Sequence, residues 1–190
     1  MAEHPLRLAV IVGSTRQGRF GGVVAAWFVA QARQRDEWAL DVIDLAEVEL
    51  PMVYPRWPGP AVQAFVERID RADAFAVVTP EYNHGYPASL KQAIDLSHDR
   101  WRAKPVGFVS YGGMAGGLRA VEQLRQVFAE LHAVTVRDTV SFHRAHERFD
   151  ESGEPRDPAG CNVAAKTMLD QLAWWAAALR TARASPAPKT

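Results

Sequence analysis

The chain alternates short runs rich in apolar residues with longer segments in which apolar residues recur at helical spacing. The short runs occupy residues 8–12, 40–45, 74–78, 106–110 and 133–142. Runs of this kind, bounded by Gly, Pro and polar residues, are typical of strands in a parallel sheet. The segments between and after them predict helices over residues 20–35, 61–71, 88–96, 118–132 and 160–183. The inner face of the last helix is expected to carry Val163, Met168, Leu172, Trp175 and Leu179.

This alternation predicts an α/β fold with a doubly wound, five-stranded parallel sheet and helices on both faces, because crossovers between parallel strands are right-handed. We expect the strand order 2-1-3-4-5. A chain of 190 residues is long enough for one full-sized core. No internal repeat or change of composition marks a boundary, so residues 1–184 are predicted to form a single domain and residues 185–190 a flexible tail.

Three loop signals follow the first, third and fourth predicted strands, at residues 13–19, 81–86 and 111–117. In the expected strand order, the carboxyl ends of these strands are neighbours around the switch point of the sheet. Open α/β sheets bind their ligands in the crevice at this place. The coincidence of the three loops therefore predicts a ligand site that they share.

The first of these loops has the composition of a phosphate cradle. Ser14 and Thr15 offer hydroxyls, Arg16 and Arg19 offer charged donors, and the following helix offers free N–H groups. Its glycine spacing approaches that of the nucleoside-triphosphate P-loop, but the Lys-Ser or Lys-Thr pair is absent, and so is the dinucleotide pattern G-x-G-x-x-G. A single monophosphate fits this loop better, and an ordinary strand-to-helix turn is the alternative.

The other two loops are distinguished by their expected backbone conformation rather than by charged side chains. Pro80 lacks an N–H group and is expected to end the third strand after residue 78, while Asn83 and Gly85 tolerate the backbone angles of a tight turn. Pro87 suits the first turn of the next helix. The glycine-rich loop at residues 111–117 lets the backbone approach a flat ligand and present N–H donors; a flexible connection is the alternative.

Composition narrows the classes of partner. The formal net charge is zero, with 22 basic and 22 acidic residues, so neither nucleic acid nor an anionic membrane is an expected partner. Cys161 is the only cysteine, which excludes an intrachain disulfide and a thiolate metal cluster. The early first strand leaves no room for a secretory signal, and no apolar run is long enough to span a bilayer. We therefore expect a cytoplasmic protein.

Three motifs together resemble those of the NADPH-dependent FMN reductase family. They are Gly-Ser-Thr-Arg at residues 13–16, Pro-Glu-Tyr-Asn at 80–83 with Pro-Ala-Ser-Leu-Lys at 87–91, and Ser-Tyr-Gly-Gly at 110–113. The family is a flavodoxin-like group that includes quinone, chromate and azo-dye reductases, and the similarity covers residues 6–137. Two departures are Gly21 or Gly22, where many relatives carry Ser or Asn, and Gln92, where relatives usually carry Asn.

The resemblance implies that FMN is the cofactor and that all three loops bind it. The implied binding residues are Ser14, Thr15, Arg16 and Arg19 at the phosphate, Pro80, Glu81, Tyr82 and Asn83 along the isoalloxazine ring, and Ser110, Tyr111, Gly112 and Gly113 around its pyrimidine end. Because the flavin carries the chemistry, no protein nucleophile and no metal are implied.

The resemblance also implies an NAD(P)H oxidoreductase that passes electrons, by a ping-pong hydride mechanism, to quinones, flavins, azo compounds or similar small acceptors. NADPH or NADH would be the donor, and no arginine dedicated to the 2′-phosphate of NADPH stands out in the sequence. A homodimer or homotetramer is expected. The alternative function is a flavodoxin-like electron carrier or sensor without nicotinamide activity, although such carriers need an acidic docking patch and this chain is neutral.

Several single residues keep two interpretations. His143 and His146, three positions apart, indicate either a solvated surface segment within residues 143–158 or part of a metal site. Cys161 is either a mildly activated thiol or an inert one. Glu81 is either an acid–base group or the partner of Lys91 or Arg16 in an ion pair.

Two further hypotheses concern the surroundings of the loops. Ser14 served by His84 would be a hydrolase pair, but the chain lacks the G-x-S-x-G elbow. The open face of the flavin is expected to be covered by mobile or partner-derived groups, among them Tyr86, His84, Trp57 and the proline-rich residues 51–60.

Overall fold

Six parallel strands form one sheet within residues 5–185, the part of the chain that the computed structural model describes. The strands are β1 (Leu6–Val12), β2 (Trp38–Asp44), β3 (Ala74–Pro80), β4 (Pro105–Tyr111), β5 (Val134–Thr135) and β6 (Val140–Phe142). Their order is β2-β1-β3-β4-β5, and β6 pairs with β4 further along that strand. The predicted doubly wound sheet and its strand order are confirmed.

The helices connect successive strands and cover the sheet. They are α1 (Gly21–Arg33), α2 (Pro60–Arg71), α3 (Ala88–Ser97), α4 (Leu118–Glu130), α5 (Ala145–Arg148) and α6 (Pro158–Arg183), with a 3₁₀ turn at His98–Trp101. In the described range, no helix is both long and apolar enough to cross a membrane. Residues 1–4 of the predicted domain and residues 186–190 of the predicted tail lie outside that range.

The core has two halves because consecutive residues of a strand point to opposite faces of the sheet. In β1, Leu8 and Val10 pack with α1 and α6 on one face, whereas Ala9 and Ile11 pack with α2, α3 and α4 on the other. Every residue of β3 and β4 is buried, which explains the continuous apolar runs in the sequence. The polar loops at the carboxyl ends of these strands are thus held by a rigid, fully packed sheet.

The fifth strand, predicted as one element over residues 133–142, is divided into β5 and β6. Val106 pairs with Thr135 and Val109 with Val140, so three steps along β4 correspond to five steps along its partner. The extra residues leave the ladder, and the guanidinium of Arg125 in α4 donates to the carbonyl of Val136 (2.8 Å). The Arg125 side chain thus supplies a hydrogen bond to a backbone carbonyl that has left the strand ladder.

The inner face of α6 differs from the prediction at one position. Met168 and Leu172 are buried, but Val163 is 66% exposed. Val163 lies two residues before the buried Ala165, and two residues rotate about 200° around a helix, so Val163 faces the opposite side.

Candidate functional site

The three loops at the carboxyl ends of β1, β3 and β4 enclose one side of a cavity of about 480 Å³. This volume is within the range of small-molecule sites, about 300–1,000 Å³. Eight of the twelve predicted site residues line it: Arg16, Arg19, Pro80, Glu81, Tyr82, Tyr111, Gly112 and Gly113. The other four, Ser14, Thr15, Asn83 and Ser110, are not on its lining.

The loop after β1 is tied to the loop after β3. Ser14 is fully buried, and its Oγ lies 2.7 Å from the Tyr82 hydroxyl in a shared hydrogen bond. The Ser89 hydroxyl, in α3, donates to the carbonyl of Gly13 (2.9 Å). Ser14 therefore fixes the relative position of two walls, and its hydroxyl is already engaged.

The two arginines of this loop have different surroundings. Arg19 forms an ion pair with Asp44 at the end of β2, so its charge is neutralised within the protein. Arg16 is exposed on the cavity wall, and no carboxylate within residues 5–185 pairs with it. No side chain caps the N-terminus of α1, and its first turn contains no acidic residue. This end of the cavity consequently combines an unpaired cation with the positive end of a helix dipole.

A tyrosine hydroxyl on the wall of the cavity has no hydrogen-bond partner. Tyr111 is the last residue of β4; its ring is buried and its Oη atom is buried without a partner within residues 5–185. Burial, and secondarily the neighbouring Tyr82, raises the pKa of the Tyr111 phenol above its ordinary value. Because the hydroxyl is shielded from solvent, Tyr111 presents other atoms of the residue to the cavity that it lines.

The same hydroxyl explains the first departure from the family motif. A Cβ atom at Gly21 would lie 2.6 Å from Tyr111 Oη, whereas one at Gly22 would meet nothing within 4 Å. The position that must remain glycine is therefore Gly21, because a serine or asparagine there would displace the tyrosine.

β3 is two residues longer than predicted, and the loop after it begins at residue 81 as expected. β3 continues through Thr79 and Pro80, and Pro80 occupies the last position of the ladder, opposite Tyr111. A tight turn follows, in which Tyr82 and Gly85 exchange backbone hydrogen bonds of 2.9 and 3.1 Å. The left-handed residues of this turn are Asn83 (φ 49°) and His84 (φ 73°), so Gly85 is not one of them.

Glu81 contacts neither Lys91 nor Arg16, the two partners considered from the sequence. Its carboxylate accepts hydrogen bonds from Arg119 in the first turn of α4, including one from Nε at 2.5 Å and one from the backbone N–H at 3.2 Å. Lys91 pairs instead with Asp95, one turn along α3. The buried carboxylate of Glu81 thus joins the β3 loop to the N-terminus of α4, where a negative charge is favoured.

The glycine-rich loop after β4 requires glycine at two of its positions. Gly116 and Gly117 have φ values of 60° and 84°, and a Cβ at Gly117 would lie 2.7 Å from the Cβ of Ser110. The hydroxyls of Ser110 and Ser141 both donate to the carbonyl of Gly116, each at 2.8 Å. Ser110 therefore supports the loop from beneath.

The fourth wall of the cavity is a segment that the sequence analysis placed on the surface. Residues 144–147, which include the first three residues of α5, line the cavity. The backbone N–H groups of Arg144 and Ala145 donate to Gly113 (2.8 Å) and Gly112 (3.0 Å) of the glycine-rich loop. Residues 143–148 are mostly exposed, as expected for a surface segment, but the sequence analysis did not predict that four of them line the cavity.

Aromatic contacts hold the fourth wall against the first loop. The ring of Phe20 packs against His146 with centroids 4.5 Å apart and against Phe149 at 5.4 Å. Phe142, Ala145 and Phe149 are buried, and their spacing of three and four residues in a polar stretch is the signal that could have revealed a packed face.

The remaining candidates lie elsewhere. The exposed Trp57 and residues 51–60 do not line this cavity; the Gln92 side chain, in α3, donates to the carbonyl of Pro51. No group of three or more His, Cys, Asp or Glu side chains in residues 5–185 is arranged to hold a metal ion. Cys161 is half-buried, and its burial raises the pKa of its thiol, which favours the inert form.

Comparison with known proteins identifies a family and several relatives that match most of this chain. Residues 6–147 match the family model described as NADPH-dependent FMN reductase. An NAD(P)H-dependent FMN reductase of Schizosaccharomyces pombe is 34% identical over 130 residues, which is 64% of each chain, so this chain spans just under two thirds of that relative. A probable NADPH:quinone oxidoreductase of Oryza sativa subsp. japonica is 31% identical over 164 residues, covering 80% of this chain and 83% of the relative.

A solved structure supports the same fold. FerB of Paracoccus denitrificans, described as a flavoenzyme NAD(P)H:(acceptor) oxidoreductase, superposes with a TM-score of 0.75 at 22% identity, over 90% of this chain and 97% of that one. The family match covers β1 to α5, which includes every loop that lines the cavity. This chain belongs to the NADPH-dependent FMN reductase family.

Proposed function

We propose that this chain is an FMN-dependent NAD(P)H oxidoreductase that delivers electrons to quinones, flavins, azo compounds or similar small acceptors. Bound FMN supplies the chemistry, which is hydride acceptance from the nicotinamide followed by electron donation to the second substrate. The single observation that carries the proposal is the cavity itself: within residues 5–185 it has an arginine without a carboxylate partner beside a helix N-terminus at one loop and open glycine backbone at another.

The residues of the cavity fit FMN. Arg16, with Thr15 beside it and the N-terminus of α1, would hold the phosphate, since these groups supply charge and N–H donors without an internal acceptor. Pro80, Glu81 and Tyr82 would form one side of the ring site. A Cβ at Gly113 would meet nothing within 4 Å, so the backbone there is open to a flat ligand.

Three of the predicted residues would act indirectly. Ser14 and Ser110 would position the loops through their buried hydroxyls, and Asn83 would do so through the turn that it forms. Arg19 is already paired with Asp44, so Arg16 would carry most of the charge that meets the phosphate.

The protein's own groups would bind and orient rather than transfer protons. Tyr111 remains a neutral phenol at physiological pH because burial raises its pKa, so it cannot serve as a base. Glu81 is held by Arg119 and is a structural anion. The nicotinamide must reach the flavin at a distance of roughly 3–3.5 Å, which requires one face of the ring to stay accessible.

The proposal predicts that purified protein reconstituted with FMN is yellow and is bleached by NADPH without oxygen. Hydride transfer should be fast in stopped-flow measurements and should precede reoxidation by a quinone. Protein that takes up FMN and is reduced by dithionite but not by NADPH or NADH would contradict the reductase and support the carrier or sensor. Protein that takes up no FMN would contradict both.

We further propose a homodimer or homotetramer in the cytoplasm, with a neighbouring subunit covering the open side of the cavity. Large apolar side chains at Met52, Val53, Tyr54, Trp57 and Trp174 are exposed in the single chain, which favours association. Sedimentation velocity is expected to show a dimer or a larger species at micromolar concentration. A monomer under those conditions would contradict this part of the proposal.

A further inference from the structure

The cationic side chains of the cavity are not all neutralised. Three arginines line it, namely Arg16, Arg19 and Arg144, and only Arg19 has a carboxylate in hydrogen-bond contact. The carboxylate paired with Arg144 is that of Glu147, at 3.9 Å between Nη1 and Oε2. The side chains of Arg144 and Glu147 are 72% and 69% exposed, and exposed ion pairs of this kind contribute little.

The two arginines that lack a carboxylate in hydrogen-bond contact belong to different walls. Arg16 lies in the β1–α1 loop, beside the N-terminus of α1, where we propose that the FMN phosphate binds. Arg144 lies on the glycine-rich loop, because its N–H donates to Gly113 at 2.8 Å and the next N–H donates to Gly112. Its backbone is in the left-handed region, with φ 49° and ψ 53°. The origin of the Arg144 side chain is therefore fixed, while its guanidinium stays exposed.

A single FMN phosphate does not account for two cations that are at most weakly neutralised within the protein. If the proposed function is correct, a second anionic molecule enters this cavity, because the nicotinamide donor carries a pyrophosphate and, in NADPH, a 2′-phosphate. We propose that Arg144 binds a phosphate group of the nicotinamide dinucleotide and thereby helps determine which donor is used. Arginine suits this role, since its planar guanidinium can pair with phosphate in a bidentate manner.

Glu147 opposes this interaction. Its carboxylate also lines the cavity and lies close to Arg144, so it would repel an incoming phosphate. The role assigned to Arg144 therefore predicts that removing the charge of Arg144 weakens dinucleotide binding, whereas removing the charge of Glu147 strengthens it. A purely structural role would not produce these opposite effects, because loss of either partner of a structural ion pair acts in the same direction.

The test uses FMN-loaded protein and four variants. Arg144→Asn removes the charge but retains a residue that tolerates left-handed backbone, Arg144→Lys retains the charge, and Glu147→Gln removes the opposing carboxylate. Arg156→Gln is the matched control, because Arg156 is exposed on a neighbouring segment and lies outside this cavity. Calorimetric titration with NADP⁺ and NAD⁺ measures binding directly, and the KM values for NADPH and NADH measure it during turnover.

Arg144→Asn is expected to weaken NADP⁺ binding and raise the KM for NADPH about tenfold, which corresponds to the loss of one charge-assisted hydrogen bond. Glu147→Gln should strengthen binding about twofold, Arg144→Lys should recover part of the loss, and Arg156→Gln should change nothing. An effect confined to NADP⁺ and NADPH would assign Arg144 to the 2′-phosphate. An equal effect on both dinucleotides would assign it to the pyrophosphate.

The inference would be overturned if Arg144→Asn left the binding of both dinucleotides unchanged, or if it weakened only FMN. It would also be overturned if Glu147→Gln and Arg144→Asn shifted dinucleotide binding in the same direction. Because calorimetry does not require turnover, it reports on Arg144 even if wild-type protein fails to oxidise NADPH. Failure of the inference is thus distinguishable from failure of the proposed function.

Discussion

Gly117→Ala is expected to destabilise the protein by about 2–5 kcal/mol. An L-residue in the left-handed conformation costs roughly 1–2 kcal/mol, and overpacking costs roughly 1–3 kcal/mol more. Both costs apply, because Gly117 has φ 84° and its new Cβ would lie 2.7 Å from Ser110 Cβ and 3.0 Å from the backbone nitrogen of Tyr111. Urea denaturation should show a lower midpoint with an unchanged slope.

Gly22→Ala is the matched control for this substitution. Gly22 lies in the first turn of α1, and a Cβ there meets nothing within 4 Å. Alanine is better than glycine in a helix by roughly 0.5–1 kcal/mol, so this variant should be slightly more stable than the wild type. Equal stability of the two variants would contradict the conformation described for the glycine-rich loop.

Arg16→Ala is expected to weaken FMN binding by about 2 kcal/mol, or about 30-fold in Kd. The loss follows from the removal of a charged donor to the phosphate at a place where no internal carboxylate competes for it. Fluorescence titration of the apoprotein with FMN measures the effect, and raising the salt concentration should reduce the difference between variant and wild type.

Two comparisons isolate the contribution of the phosphate. Riboflavin lacks the phosphate, so Arg16→Ala should leave the affinity for riboflavin unchanged. Arg33→Ala removes the same charge from an exposed position at the other end of α1 and should leave the affinity for FMN unchanged. Unchanged FMN affinity in Arg16→Ala would show that the phosphate is held elsewhere.

The sheet was predictable because its signals are local. Strands buried on both faces are expected to be nearly continuous apolar runs, and β3 and β4 are buried at every position with Thr79 and Ser110 as their polar residues. The division of the fifth strand was not predictable, because it depends on how residues 134–142 register against β4 and on a side chain of α4. Neither relation leaves a periodic signal in the sequence.

The part of the site that lies at the carboxyl ends of strands was predictable from the sequence. Arg16, Tyr82 and Gly113 line the cavity because each follows a central strand directly. Contacts across the site were not predictable. Glu81 pairs with Arg119, and not with Lys91 or Arg16, because α4 begins beside the β3 loop. Residues 144–147 were missed because their placement depends on aromatic packing with Phe20, which is far away in sequence.

The late position of that fourth wall has a consequence for biosynthesis. Arg16 is among the first residues of the described chain, whereas Arg144 to Glu147 are translated only after β6. A nascent chain that stops at α4 has the three strand-end loops but lacks the segment that stacks on Phe20. We therefore expect full ligand affinity only after residues 144–147 have been synthesised, and products that end before them should lack the stabilisation that ligand binding gives to the native state.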